Sequence, residues 1–170
     1  MILKKNLVFL GMMGSGKTSI GYLVSKALNL VFADVDNLIE EESGISISEI
    51  FKTKGEGYFR SLEEKITLKT LKGVNKVISL GGGSFINNKV RKEILFNHFS
   101  FWLNWDESVL LKRIKGSKKR PLAFQATDHE IKQLIKKRNK IYSKAEFKIN
   151  CNKLTKAEIV KKIIKIYELN

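Results

Sequence analysis

The sequence predicts an α/β fold in three layers, a parallel sheet held between two layers of helices, and two observations predict it. Short apolar runs near 6–10, 30–33, 77–80, 100–103 and 147–150 alternate with segments whose apolar residues recur at helical spacing. Such alternation is how strands are joined through helices to parallel neighbours. The first apolar run also ends on a glycine-rich turn that opens a helix, Gly11-Met12-Met13-Gly14-Ser15-Gly16-Lys17-Thr18. With 170 residues, 43% of them hydrophobic, the chain can bury one sizeable core and is short for two. A single domain over 1–170 is expected.

The elements follow in order. Asn6-Leu7-Val8-Phe9-Leu10 reads as a buried strand because it is short, apolar and stopped by Gly11. Residues 17–28 place Ile20, Leu23, Val24 and Leu28 on one helical face. The second strand, Leu30-Val31-Phe32-Ala33, runs into Asp34-Val35-Asp36. Two helical patterns come next, one through Ser48-Glu49-Ile50-Phe51 and one over 57–71 with Phe59, Leu62, Ile66, Leu68 and Leu71 inward. Val77-Ile78-Ser79-Leu80 is a third strand closed by Gly81-Gly82-Gly83, and Ser100-Phe101-Trp102-Leu103 a fourth. A helix over 106–114 has Val109, Leu110 and Ile114 in phase. Phe147-Lys148-Ile149-Asn150 is the fifth strand, and a last helix from Lys156 carries Ile159, Val160, Ile163, Ile164 and Tyr167. The stretch 115–128 is rich in Gly, Ser, Lys and Arg and holds the one proline, Pro121. It is too long for a plain connector, so a lid is expected there.

The formal net charge is +15. Its lysines are spread along the chain, and no zinc-finger, homeodomain or aromatic RNA-binding pattern accompanies them. Charge of this kind argues solubility and attraction of anionic small molecules, so no nucleic-acid partner is expected. The one cysteine, Cys151, makes no internal disulfide, which suits a reducing compartment. The N-terminal apolar run is too quickly interrupted to span a membrane and shows no cleavage pattern. A cytoplasmic protein without membrane contact, monomeric by default, is expected.

The segment 11–18 is a complete P-loop pattern. Its glycines let the backbone turn around an anion, the exposed N–H groups and the helix N-terminus then face the phosphates, Lys17 reaches the β- and γ-phosphates, and Thr18 can ligate Mg²⁺. Gly14, Ser15, Gly16, Lys17, Thr18 and Ser19 are therefore the candidate nucleotide contacts, with ATP as the expected co-substrate. Beyond the second strand lie Asp34 and Asp36, at the strand ends where open α/β sheets bind ligands. One acid can orient Mg²⁺ through water and the other accept a hydrogen bond from an acceptor hydroxyl. An aspartate cap on the following helix is the plainer use of Asp36. Arg60 and Glu63 stand three apart on a helix, either as a surface ion pair or as a guanidinium fork steadied for a substrate carboxylate. Phe51 and Phe59 serve as pocket walls or as core. Gly81-Gly82-Gly83 marks a close main-chain approach to ligand or a flexible turn. The basic loop contributes Arg113, Lys118, Lys119 and Arg120. Arg120 is suited to neutralising the transferring phosphoryl group. Arg138, with Tyr142 beyond it, is a further candidate anion ligand. His98 and His129 stand in no motif, so no phosphohistidine intermediate is expected.

The ordered set resembles the shikimate kinase family from end to end. The residues that carry it are 11–18, Phe32-Ala33-Asp34-Val35-Asp36, Ile47-Ser48-Glu49-Ile50-Phe51, Gly55-Glu56 with Phe59-Arg60 and Glu63, Leu80-Gly81-Gly82-Gly83, and Arg120-Pro121-Leu122 with Arg138. The resemblance implies a five-stranded parallel sheet in the order 2-3-1-4-5, a substrate-binding helical region at about 36–62 and a short lid at about 115–128. It implies ATP-dependent phosphorylation of the 3-hydroxyl of shikimate, on the route through chorismate to aromatic amino acids. It places Lys17 and Arg120 on phosphates, Thr18 and (through water) Asp34 on Mg²⁺, Asp36 on the acceptor hydroxyls, Arg60 and Arg138 on the carboxylate, Glu63 behind Arg60, and the Gly82 backbone on shikimate. Arg113 looks similar to the arginine that lies against adenine. Relatives often close the adenine site with Arg or Pro near the start of the last helix, whereas this chain reads Asn152-Lys153-Leu154-Thr155-Lys156 there. The competing expectations are a gluconate-kinase-like or nucleoside-monophosphate-kinase-like transferase, and a nucleotide switch without catalysis.

Overall fold

The structure, a computed structural model, describes residues 5–116 and 126–170. In chain order the elements are β1 (Asn6–Leu10), α1 (Lys17–Leu28), β2 (Val31–Asp34), α2 (Val35–Ser43), α3 (Ile47–Leu71), β3 (Lys76–Ser79), a 3-10 turn (Ser84–Ile86), α4 (Asn88–Asn97), β4 (Phe99–Asn104), α5 (Glu107–Lys115), α6 (Asp128–Tyr142), β5 (Phe147–Asn150) and α7 (Lys156–Glu168). The five strands form one parallel sheet in the order β2-β3-β1-β4-β5.

Side-chain alternation along β1 divides the core between the two faces of this sheet. Leu7 and Phe9 turn toward Ile20 and Val24 of α1 and Ile159 and Ile163 of α7. Val8 and Leu10 turn toward Ile39 of α2, Ile50 of α3, Ile94 of α4 and Ile135 of α6. Both faces are covered, which is why β1 is buried along its whole length. Phe9 and Phe101 stack across adjacent strands with ring centroids 5.6 Å apart. Among the described residues, no helix is long and apolar enough to cross a membrane.

Three differences from the sequence reading bear on the site. The second strand begins and ends one residue later, and α2 starts at once with Val35, so Asp36 lies in a helical first turn. The two helical patterns over 47–71 form one element broken at Gly55 (φ 79, ψ 172), a conformation open essentially to glycine. The helix α4 had no counterpart in the sequence reading. The expected lid at about 115–128 cannot be followed: α5 continues to Lys115, α6 begins at Asp128 after a Thr127–Glu130 capping box, and 117–125 lie outside the described residues. Lys118, Lys119, Arg120, Pro121 and Leu122 go with them.

Candidate active site

The site gathers at the carboxyl ends of β1, β2 and β3, where the chain leaves the sheet as the P-loop, the Asp34–Asp36 corner and the glycine turn. The P-loop bends through Gly11 (φ 143), Gly14 (φ 82) and Gly16 (φ 87), values that disfavour any side chain. At Gly11 space is short as well, since a β-carbon would meet Leu103 O at 3.0 Å. The turn is locked by Ser15 N donating to Met12 O (3.1 Å), and α1 begins at Lys17 with no acidic residue in its first turn. That leaves its positive end available to an anion. Lys17 is buried, its Nζ donating to Gly11 O (3.0 Å) and Met12 O (3.1 Å), so the ammonium lies across the loop it serves. Ser15 Oγ is buried without a hydrogen-bond partner among the described residues. A donor set of this kind fits a polyphosphate.

Asp34, and not Asp36, caps α2. Its Oδ1 accepts from Asp36 N (3.0 Å) and Asn37 N (3.3 Å), while its Oδ2 accepts from Thr18 Oγ1 (2.7 Å). The capping use considered for Asp36 is thereby filled by its neighbour, for the simple reason that the strand ends at Asp34. Thr18 and Asp34 present hard oxygens side by side at the phosphate end. That pairing fits Mg²⁺, which takes few protein ligands and keeps water.

The three glycines after β3 each face a different working group. A β-carbon on Gly81 would stand 2.6 Å from Glu63 Oε1 and 2.7 Å from Asp36 Oδ1, so two carboxylates converge over it. At Gly82 it would meet Arg138 Nη1 at 3.3 Å and Met13 N at 3.4 Å, and at Gly83 the Arg60 guanidinium at 2.3 Å. None of the three has a positive φ. They are small because the protein's own charged side chains occupy the space above them. Ligand approach or a flexible turn is the use the sequence suggests for these glycines, and this crowding adds a reason that comes from the protein itself.

Burial pushes the Asp36 carboxyl up, the negative charge of Asp34 pushes it further, and Lys17 opposes both; the result is about 6, against an ordinary 3.8. Glu63 is buried at 3% exposure. Its Oε2 accepts from Arg60 Nη1 (2.8 Å) and its Oε1 from Ser84 Oγ (2.7 Å). Arg60 also donates from Nε and Nη2 to Glu56 Oε1, each at 3.2 Å, and lies 5.0 Å from the Phe59 ring. Burial works against its charge, but Glu63 and Glu56 outweigh that and raise its pKa. The Arg60–Glu63 pair is thus a half-buried, braced fork and not a solvated surface contact. Phe59 is core and packs on Phe51 with centroids 4.6 Å apart. A cavity of about 390 Å³ opens beside Arg60, Glu63, Gly83, Ser84 and Arg138, between α3, α4 and α6.

On the opposite side of the P-loop, Arg113 lies 3.9 Å from the Trp105 ring centroid and donates to Gly14 O (3.3 Å). Trp105 Nε1 donates to Ser15 O (2.9 Å). Ser19, a candidate phosphate donor, gives its hydroxyl to Gly16 O (3.1 Å). Asn152, in the segment that departs from the family pattern, exchanges two 2.9 Å hydrogen bonds with Asp106 and ties the start of α5 to the end of β5. Sequence reasoning missed Ser84 and Trp105, and gave Glu56 a place in the resemblance but no role. Their partners lie on other elements or, for Glu56, on a fork whose direction local spacing does not show. Arg120 lies outside the described residues.

The sequence matches the family description "Shikimate kinase" over residues 13–168. A shikimate kinase of Thermodesulfovibrio yellowstonii is 41% identical over 165 residues, covering 96% of this chain and 95% of the relative. The crystal structure of shikimate kinase from Aquifex aeolicus superposes with a TM-score of 0.86 at 38% identity, over 96% of each chain. Shikimate kinase from Acinetobacter baumannii, solved in complex with shikimate, superposes with a TM-score of 0.92 at 27% identity over 99% of this chain and 96% of that one. With the P-loop, the acid-lined corner and the braced arginine in place on this sheet, these matches mean that the chain belongs to the shikimate kinase family.

Proposed function

We propose that this protein transfers the γ-phosphoryl group of ATP to the 3-hydroxyl of shikimate, giving shikimate 3-phosphate and ADP. One observation carries the reading. A single turn, Gly81-Gly82-Gly83, is roofed in succession by the Asp36 and Glu63 carboxylates, by Arg138 with the P-loop backbone, and by Arg60. The phosphate cradle and a pocket for a small polyhydroxy acid therefore share a wall.

In this reading α2 and the first part of α3 form the substrate-binding region, and Arg60 and Arg138 hold the substrate carboxylate, Arg60 steadied by Glu63. Asp36 accepts a hydrogen bond from the 3-hydroxyl and takes its proton as the oxygen bonds to the γ-phosphorus. The bridging P–O bond breaks at the same centre and ADP departs. With a pKa of about 6 the carboxyl is mostly ionised at neutral pH and able to accept that proton. Lys17 balances the charge on the phosphates, and positioning with fixed charge supplies most of the rate. Thr18 and Asp34 would hold Mg²⁺, which when bound offsets the negative charge of the phosphate oxygens. Arg113 stands where a nucleotide base would follow the phosphates. A cytoplasmic monomer is the accompanying proposal, in keeping with a buried, unpaired Cys151.

The test is ADP release measured with shikimate, gluconate and nucleoside monophosphates as acceptors. Strong turnover with shikimate alone is expected. Strong turnover with gluconate or a monophosphate, and none with shikimate, would reject the assignment.

A further inference from the structure

The Tyr142 hydroxyl is the one polar group of a side chain otherwise sunk in the core. Tyr142 is 1% exposed, and its ring packs beside Trp102 of β4 with centroids 6.1 Å apart. The hydroxyl donates to Gly82 O at 2.5 Å, reaching from the last turn of α6 to the middle glycine of the turn. The flanking carbonyls are engaged locally, Gly81 O by Ser84 N (3.2 Å) and Gly83 O by Ile86 N (3.0 Å). The Gly82 carbonyl is thus left to point toward α6. Four residues earlier on the same face of α6 stands Arg138, whose Nη1 lies over Gly82. Burial pushes the phenol up to about 12, against a lowering by Arg138, so it stays protonated and donating at working pH.

We propose that Tyr142 is a positioning residue: by tying the Gly82 carbonyl to α6 it sets the height at which Arg138 presents its guanidinium to the acceptor. This rests on the reading of the site given above. The tie joins a helix and a turn that share no backbone hydrogen bonds to fix their spacing among the described residues, next to the cavity that Gly83 and Arg138 line. A ring held by the core and a carbonyl on a turn closed by its own Ser84 and Ile86 bonds make that spacing reproducible, which a bidentate cation requires of its support.

The test is Tyr142→Phe, which keeps the ring and removes only the oxygen, measured by steady-state kinetics on the full chain. The shikimate KM should rise roughly tenfold, with the ATP KM changed less than about twofold. Combining it with Arg138→Ala should abolish most of that increment, because the tie acts through the arginine. A variant with lowered Tm and unchanged shikimate KM, or increments that simply add with Arg138→Ala, overturns the proposal. If the phenylalanine variant is insoluble, Tyr142→Met, which removes the ring as well as the hydroxyl, is read for the same split, a raised shikimate KM beside a nearly unchanged ATP KM. Wild-type protein that consumes no ATP on shikimate would overturn this inference and the functional reading together. Normal wild-type turnover with an indifferent Tyr142→Phe would overturn the inference alone.

Discussion

Asp36 is held in a place that its charge does not favour. Burial first, then Asp34, raises its carboxyl from 3.8 to about 6 in the folded chain. A raised acid binds its proton more readily folded than unfolded, so stability from this group falls as pH climbs from 3.8 to 6 and the full cost is present above 6. The size is on the order of 2–3 kcal/mol. Asp36→Asn should therefore melt higher than wild type at pH 7.5 and level with it near pH 4 (thermal denaturation at both pH values), while shikimate turnover drops about 10²-fold or more. The wild-type kcat/KM for shikimate should rise with pH through about 6 as the base ionises. A variant destabilised at pH 7.5, or a pH-rate profile flat across that range, would remove Asp36 from this role.

At the level of elements, α2 joins the two halves of the site through Asp34, which caps the helix and receives the Thr18 hydroxyl. Two substitutions separate those jobs. Asparagine caps as well as aspartate, so Asp34→Asn should cost less than about 0.5 kcal/mol, whereas Asp34→Ala should cost about 1. Both should raise the Mg²⁺ concentration needed for half-maximal rate, since both remove the charge; equal Mg²⁺ requirements in all three proteins would contradict the assignment. The same corner shows what the sequence carried and what it hid. A strand, two acids and a helix were readable, but which acid capped depended on where the strand stopped, a matter of one residue. The helix α4 escaped notice because only Val90 and Ile94 are buried, while Leu95 and Phe96 lie exposed and blur the period. Gly55 was visible as a glycine, yet the break it makes in α3 shows only in its backbone angles. The Ser84–Glu63 bond, linking residues 21 apart, and the Tyr142–Gly82 bond, linking residues 60 apart, have no local signature at all.

Over the whole molecule, the sheet order places β1 between β3 and β4, so the P-loop stands beside the glycine turn. Periodicity gave the strands, and the family resemblance gave their order. The net charge of +15 gives the molecule as a whole a positive field. Both reactants are anions, so kcat/KM for each should fall roughly threefold between about 20 and 300 mM salt, with kcat nearly level. Initial rates across a salt series check this, and salt-independent kcat/KM would show that the lysines are only solvating. In the proposed reaction one wall divides a phosphate cradle from an acid-gripping pocket, with Arg60 on the acceptor side. Separate calorimetric titrations of shikimate and of ATP with magnesium into wild type and Arg60→Ala measure that division. Shikimate affinity should fall by about 10²-fold with ATP affinity within about twofold; comparable losses for the two ligands would take Arg60 off the acceptor side.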